Sequence, residues 1–141
     1  MKKTLRAVVL LAAVIALVFS LASCRLDFEK DPWDSATYKE DKTFGAGATA
    51  LAVEVKVGEN LVTFTINTDK ATVGEALLEH GLIAGEDGAY GLYVKVVNGI
   101  TADYDVDQSY WAFYINGEYG MTGVDATAIT AGSVYRLEYT K

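Results

Sequence analysis

Few residues of this 141-residue chain are equipped for chemistry. Cys24 is its sole cysteine and His80 its sole histidine. One thiol allows neither a disulfide within the chain nor a cysteine metal cluster. The serines beyond Cys24 are Ser35, Ser109 and Ser133, and no second histidine is present to build a base for any of them. Phosphate loops, HExxH and dinucleotide fingerprints are absent. Asp103, Asp105 and Asp107 alternate like the start of a calcium loop, but Gln108 holds the sixth position and Tyr114 the twelfth, so the EF-hand pattern fails. That stretch reads as a solvated acidic loop, with weak calcium binding left open. His80 falls in the last turn of an expected helix, where a cation suits the helix dipole, and reads as a cap rather than a ligand. No catalytic residue and no metal ligand is assigned, and the expectation is a protein that is not an enzyme.

The other chemically loaded stretch is YWAFYINGEYGMTG, residues 110–123. In an extended strand Trp111, Phe113 and Ile115 point one way and Tyr110, Ala112, Tyr114 and Asn116 the other. The first set is the natural core face. The second is amphipathic, with Ala112 leaving a shallow groove between two tyrosines. Two readings stay open: cross-strand aromatic pairs that stabilise a sheet, or a stacking platform for a flat or sugar-like ligand or a protein partner. The candidate ligand-binding residues are Tyr110, Tyr114, Asn116, Gly117 and Tyr119. Asn116-Gly117 predicts a type I′ turn, and Gly120 and Gly123 allow the chain to pass close to it as a rim.

These residues need elements to hold them. Leu51, Val53, Val55 and Val57 alternate with polar residues over 50–57, and Val62, Phe64 and Ile66 do so over 61–68. Joined at 58–60, the two runs predict a β-hairpin. The period then changes. Thr72 with Glu75 forms a capping-box pattern, Val73, Ala76, Leu77 and His80 follow helical spacing, and Gly81 ends a short helix over 72–81. Strands are expected over 90–100, 110–116 and 133–141, with a polar segment at 101–109 and a turn at Gly85–Gly88. The order predicts an α+β fold, β-grasp-like, with a mixed sheet of about five strands packed on one short helix.

The N-terminus speaks to location. Lys2, Lys3 and Arg6 precede an apolar run from Ala7 to Phe19, too short for a membrane span and suited to a secretory signal. The following Leu21-Ala22-Ser23-Cys24 resembles the lipobox of bacterial lipoproteins, in which the cysteine is acylated and becomes the new N-terminus. The expected organisation is a lipoprotein signal peptide at 1–23, an acylated N-terminus and flexible tether at 24–48, and one domain at 49–141. Trp33, Tyr38 and Phe44 lie within that tether and either fold back on the domain or touch a partner. Lipid such as palmitate on Cys24 would hold the protein at the cell membrane, on its extracytoplasmic face. From Cys24 onward nine basic residues face nineteen acidic ones, a charge near -10. Such a chain has no basic stripe for nucleic acid, and anionic headgroups repel its body.

TVGEALLEHGL (72–82), YVKVVNGI (93–100) and SYWAFYINGEYGMTGVDATAITAGSVYRLEY (109–139) together resemble the C-terminal β-domain of the transcobalamin and intrinsic factor family and its bacterial surface relatives. Val73, Ala76 and Leu77 match its helix, Gly99 and Ile100 its middle strand, and Tyr110, Trp111, Tyr114, Asn116 and Gly117 its aromatic segment. Ser133 departs from the acid usual after the late glycine. The resemblance implies a β-grasp fold and a ligand-binding role without catalysis. By resemblance the ligand is a corrinoid such as cobalamin, or another small molecule, and no resident cofactor is expected. The alternative is a protein-interaction or adhesion module, or one subunit of a surface complex.

Overall fold

A computed structural model of the chain describes residues 29–141. The expected signal peptide, Cys24 and the first residues of the expected tether lie outside the described residues. No helix among the described residues is long and apolar enough to cross a membrane. One compact unit runs from Asp31 to Lys141.

The two alternating runs pair as expected. β2 (Thr49–Val57) and β3 (Asn60–Thr68) form an antiparallel hairpin in register from Thr49–Thr68 to Val57–Asn60. β2 also pairs in parallel with the last strand, β9 (Val134–Thr140), and β9 pairs antiparallel with β7 (Tyr110–Ile115). β1 (Lys42–Phe44) and β8 (Glu118–Tyr119) complete a six-stranded mixed sheet in the order β1-β3-β2-β9-β7-β8. α1 (Val73–Glu79) follows β3, opened by the capping box: the Thr72 hydroxyl accepts from the Glu75 amide and the Glu75 carboxylate accepts from the Thr72 amide, each at 3.2 Å.

The core lies on one face of this sheet, where Val53, Val55, Phe64, Ile66, Tyr135 and Leu137 are buried together with Val73, Ala76 and Leu77 of α1. Fully burying each aliphatic or Phe side chain contributes about 1.5–3 kcal/mol. That stabilises a seven-residue helix too short to persist in water by itself.

The architecture is α+β, but the strands do not form one sheet of about five. A second, three-stranded antiparallel sheet is made of β4 (Ile83–Gly88), β5 (Gly91–Val97) and β6 (Ile100–Thr101). Gly85–Gly88, expected as a turn, is the body of β4, because pairing with β5 outweighs the local turn composition. The expected strand 90–100 divides at Asn98-Gly99 into β5 and β6. The acidic segment contains one helical turn, α2 (Tyr104–Asp107).

Residues 31–48, expected as part of a flexible tether, instead pack on the sheet. Asp31 caps a 3₁₀ turn at Pro32–Ser35 by accepting from the Trp33 amide at 2.9 Å. Tyr38 stands edge-on to Phe44 and Phe64, with ring centroids 5.4 and 5.9 Å apart, and β1 runs parallel to β3. The three tether aromatics pack against the core, which takes the first of the two alternatives left open for them.

Candidate functional site: an aromatic cleft between the two sheets

β7 carries the aromatic segment, and its two faces have different surroundings. Trp111 and Phe113 are buried at 8% exposure each, with Ile115 packed beside them. On the opposite face the register sets Thr63, Glu54, Arg136, Tyr114 and Tyr119 in a row across five strands. In that row Arg136 donates from Nε and Nη2 to Glu54 Oε2 at 2.7 and 2.6 Å. Tyr114 and Tyr119 meet edge-to-face at 5.7 Å. Ala112 is buried at 1% exposure, so no groove opens between Tyr110 and Tyr114.

The hollow lies elsewhere. A cleft of about 380 Å³ opens between β5 and β7, lined by Leu92–Val94, by Tyr110, Trp111 and Phe113, by Leu137, and by the segment Tyr119–Val124. Most of its wall is aromatic or aliphatic and none of it is charged, which is the composition of small-molecule sites. Two other hollows, along Ala36–Lys42 and between Gly45–Gly47 and His80, have similar volumes of about 430 and 420 Å³. They are more open to solvent, and polar and charged side chains contribute to their walls.

The rim segment is fixed from several sides. The Gly120 amide donates to Phe113 O at 2.8 Å. Thr127 Oγ1 donates to Gly123 O at 2.8 Å, and the Leu92 amide donates to Asp125 Oδ2 at 3.0 Å, joining rim to β5. Further along, the Val73 amide donates to Thr127 O, and buried Tyr135 accepts from the Thr130 amide at 2.9 Å. The backbone of Asp125 can lie on α1 because Gly74 has no side chain there; a Cβ would come within 2.8 Å of Asp125 Cα.

The five candidate residues therefore separate. Tyr110 and Tyr119 border the cleft, with the Tyr119 ring set against Tyr114 on the outer face. Tyr114 lies on the other face of the sheet, against Tyr119 and Arg136. Asn116 and Gly117 are used by the turn, both at positive φ (51° and 82°) as a type I′ turn requires. Asn116 also accepts from the Val134 amide at 2.9 Å and donates its own amide to Val134 O at 2.8 Å. Leu92–Val94 and Met121 belong to the cleft without having stood out in the sequence.

Two polar atoms in this region lack partners. Trp111 Nε1 and Asp125 Oδ1 are both buried without a hydrogen bond. His80 is the C-cap of α1, its ring 5.5 Å from that of Phe44 and its Nε2 3.8 Å from Glu79 Oε2. In the acidic turn the carboxylates are occupied locally. Asp103 Oδ1 accepts from the Asp105 amide at 3.1 Å, and Asp107 Oδ1 accepts from both the amide and the hydroxyl of Ser109. These bonds hold the Asp107 carboxyl below the usual range. Among the described residues no three His, Cys, Asp or Glu side chains come together as a metal site.

Residues 70–141, which include α1, β7 and the rim, match a family model described as a domain of unknown function, DUF4430. The chain belongs to the DUF4430 family. A solved structure of a protein from Ruminococcus gnavus ATCC 29149, described as a candidate metal binding protein, is 32% identical with a TM-score of 0.62, over 66% of this chain and 97% of that one. Haptocorrin in complex with Cbi is similar in fold, with a TM-score of 0.51 and 18% identity, over 70% of this chain and 26% of haptocorrin. No curated protein matches. The DUF4430 match covers β7, β9 and the rim, and both strands of the cleft wall lie within it.

Proposed function

We propose that this chain is a non-catalytic binding module of the cell envelope, lipid-anchored through Cys24 on the extracytoplasmic face, whose cleft receives a small molecule with an apolar face. The observation that carries the reading is the uncharged aromatic wall between β5 and β7. The fold is read more finely as β-grasp-like and of the transcobalamin type. The likeness to haptocorrin supports this, as does the Tyr-Trp and Asn-Gly spacing of β7 and its turn.

Because haptocorrin is a structure with Cbi, a corrinoid is the first ligand to try. A cleft of about 380 Å³ would hold part of such a macrocycle, so another wall would have to cover the rest. The Ruminococcus gnavus relative suggests metal binding, but the described residues supply no cluster to support that reading here. A protein-interaction role is the second reading. It is favoured by Met121 and Tyr119 at the cleft, 94% and 61% exposed, and by fully exposed Tyr90 in the turn before β5.

The test is fluorescence titration of the full chain carrying Trp33→Phe, which leaves Trp111 as the only tryptophan. A corrinoid and small flat aromatics should quench it with dissociation constants of roughly micromolar or weaker, since one wall supplies only part of an enclosure. Tyr110→Ala and Tyr119→Ala should weaken binding several-fold. A flat response to every probe into the millimolar range would overturn the small-molecule reading in favour of a protein partner.

A further inference from the structure

The cleft is bounded by backbone as well as by side chains, and each of the two strands that flank it has an open edge there. We propose that the cleft takes a short peptide in extended conformation, which adds to the open edge of β7 as a further strand and carries positive charge. The inference rests on the reading of the cleft as a binding site and names the class of its ligand.

In an antiparallel ladder, successive residues turn their N–H and C=O to opposite sides. On β7 the two-residue turn Asn116-Gly117 is closed by Ile115 and Glu118, so Ile115, Phe113 and Trp111 face β8 while Tyr110, Ala112 and Tyr114 face β9. β8 reaches only as far as Tyr114, and the Gly120 amide on Phe113 O ends the pairing. Beyond that bond no strand among the described residues stands opposite Trp111 on this side. β5 has a matching gap. Its turn with β4 is closed by Gly88 and Gly91, so Leu92 and Val94 face away from β4. The Leu92 amide meets Asp125 Oδ2, and the Lys95 carbonyl accepts from the Ala102 amide at 2.8 Å. Between these two bonds the Leu92 carbonyl and both backbone groups of Val94 have no strand opposite, because β6 pairs only with Val96 and Val97. Leu92, Val94, Trp111 and Phe113 all line the cleft.

Backbone amides and carbonyls are obligatory hydrogen-bonding groups, and an open strand edge is a template for another strand. A flat aromatic ligand supplies no donors and acceptors at strand spacing; an extended peptide supplies one of each at every second residue on the side it turns to the edge. Three or four of its residues, at about 3.3 Å each, would run along Tyr110–Phe113. Charge sets the sign of the peptide. Residues 31–141 contain seventeen acidic and seven basic side chains, so a cationic segment is drawn in and an acidic one repelled. The acidic turn α2 precedes the open stretch of β7, and Glu118 follows it. Lys95, at the end of the open stretch of β5, is already matched, its Nζ 3.2 Å from Glu86 Oε1. The same repulsion disfavours a second copy of this chain on the edge.

The test peptide is acetyl-Lys-Val-Thr-Val-Lys-amide, titrated into the full chain carrying Trp33→Phe and read by Trp111 fluorescence. Two N-methylated forms, one at both valines and one at the central threonine, keep every side chain and remove the amide donors of one side or the other. At least one of them should bind about fivefold more weakly or worse. Amide hydrogen exchange followed by NMR should slow at Trp111 when the parent peptide is bound. Acetyl-Glu-Val-Thr-Val-Glu-amide should bind about fivefold more weakly than the lysine peptide at low salt, and the difference should shrink as salt rises. Both methylated forms binding like the parent, or binding without slowed exchange at Trp111, would overturn strand addition. Equal binding of the acidic peptide would overturn the charge preference. A chain that sediments as a dimer with Trp111 already protected would put a second copy on the edge and overturn the inference as well. Failure of the peptide to bind while 3,3-dimethylbutan-1-ol still shifts the amides of the cleft would overturn the peptide alone and leave the small-molecule reading standing. Failure of both would overturn the two together.

Discussion

Asn98 sits at φ 51° in the turn between β5 and β6, and its side chain reaches back to a segment sixty residues earlier in the chain. Its Oδ1 accepts from the Tyr38 amide at 2.9 Å, its Nδ2 donates to Tyr38 O at 2.8 Å, and its own carbonyl accepts from the Thr37 amide at 2.8 Å. Asn98 is 1% exposed. Asn98→Ala should therefore cost about 2–3 kcal/mol in a denaturant melt, from buried groups left unpaired and from the left-handed backbone. Asn98→Gly keeps the turn and should cost less. Asn-Gly is legible in the sequence as a turn. The clamp is not, because no local pattern tells which distant backbone an amide will meet. The same holds for Asn116, read as a ligand residue and found bonded to β9. At Ser109 the chemistry predicts a pH effect. Its hydrogen bonds hold the Asp107 carboxyl below the usual range, so their stabilisation is present above the ordinary carboxylate pKa of about 3.9 and is lost as pH falls through the lowered folded value. In Ser109→Ala the Asp107 carboxyl should titrate at higher pH, read by carbon NMR of the side chain. An unchanged titration would mean that Ser109 is not the cause.

Among the elements, those with a sustained period were legible: β2, β3, α1 and β9 each follow an alternation or helical spacing that burial matches, whereas β5 and β7 were legible as apolar and aromatic runs whose burial does not alternate. β1, β6 and β8 have only two or three residues, too few to show a period, and their positions depend on the strands they pair with. The N-terminal segment was legible only in part: its charged composition resembles a solvated linker, while its aromatics left folding back on the domain open, and Tyr38 and Phe44 dock on Phe64. A chain beginning at residue 49 should melt at lower denaturant than one beginning at residue 29, by several kcal/mol for the lost aromatic burial. Equal midpoints would mean that the segment is only resting on the sheet. The capping box predicts a smaller effect: Thr72→Ala should cost about 1 kcal/mol. Trp111→Ala, which empties the floor shared by core and cleft, should cost about 3–5 kcal/mol.

For the whole molecule, the sequence indicated α+β and an aromatic strand at β7, and drew attention to its tyrosine face, whereas the cleft opens on the Trp111 and Phe113 side. Alternation gives the two faces of a strand; it does not tell that a second sheet stands opposite one of them, and the cleft exists only because β5 faces β7. Charge and anchoring are properties of the same scale. Cys24→Ser should release the protein from the membrane fraction or leave uncleaved precursor, with lipid labelling lost; labelling that persists would contradict a lipid anchor at Cys24. The central claim, that the cleft between β5 and β7 is the binding site, is tested most directly by amide NMR of the full chain titrated with 3,3-dimethylbutan-1-ol, which carries no charge. The account predicts shifts concentrated at Leu92–Val94, Tyr110–Phe113 and Tyr119–Val124. Shifts confined to the hollows at Ala36–Lys42 or around His80, or to the outer face at Tyr114 and Arg136, would contradict it.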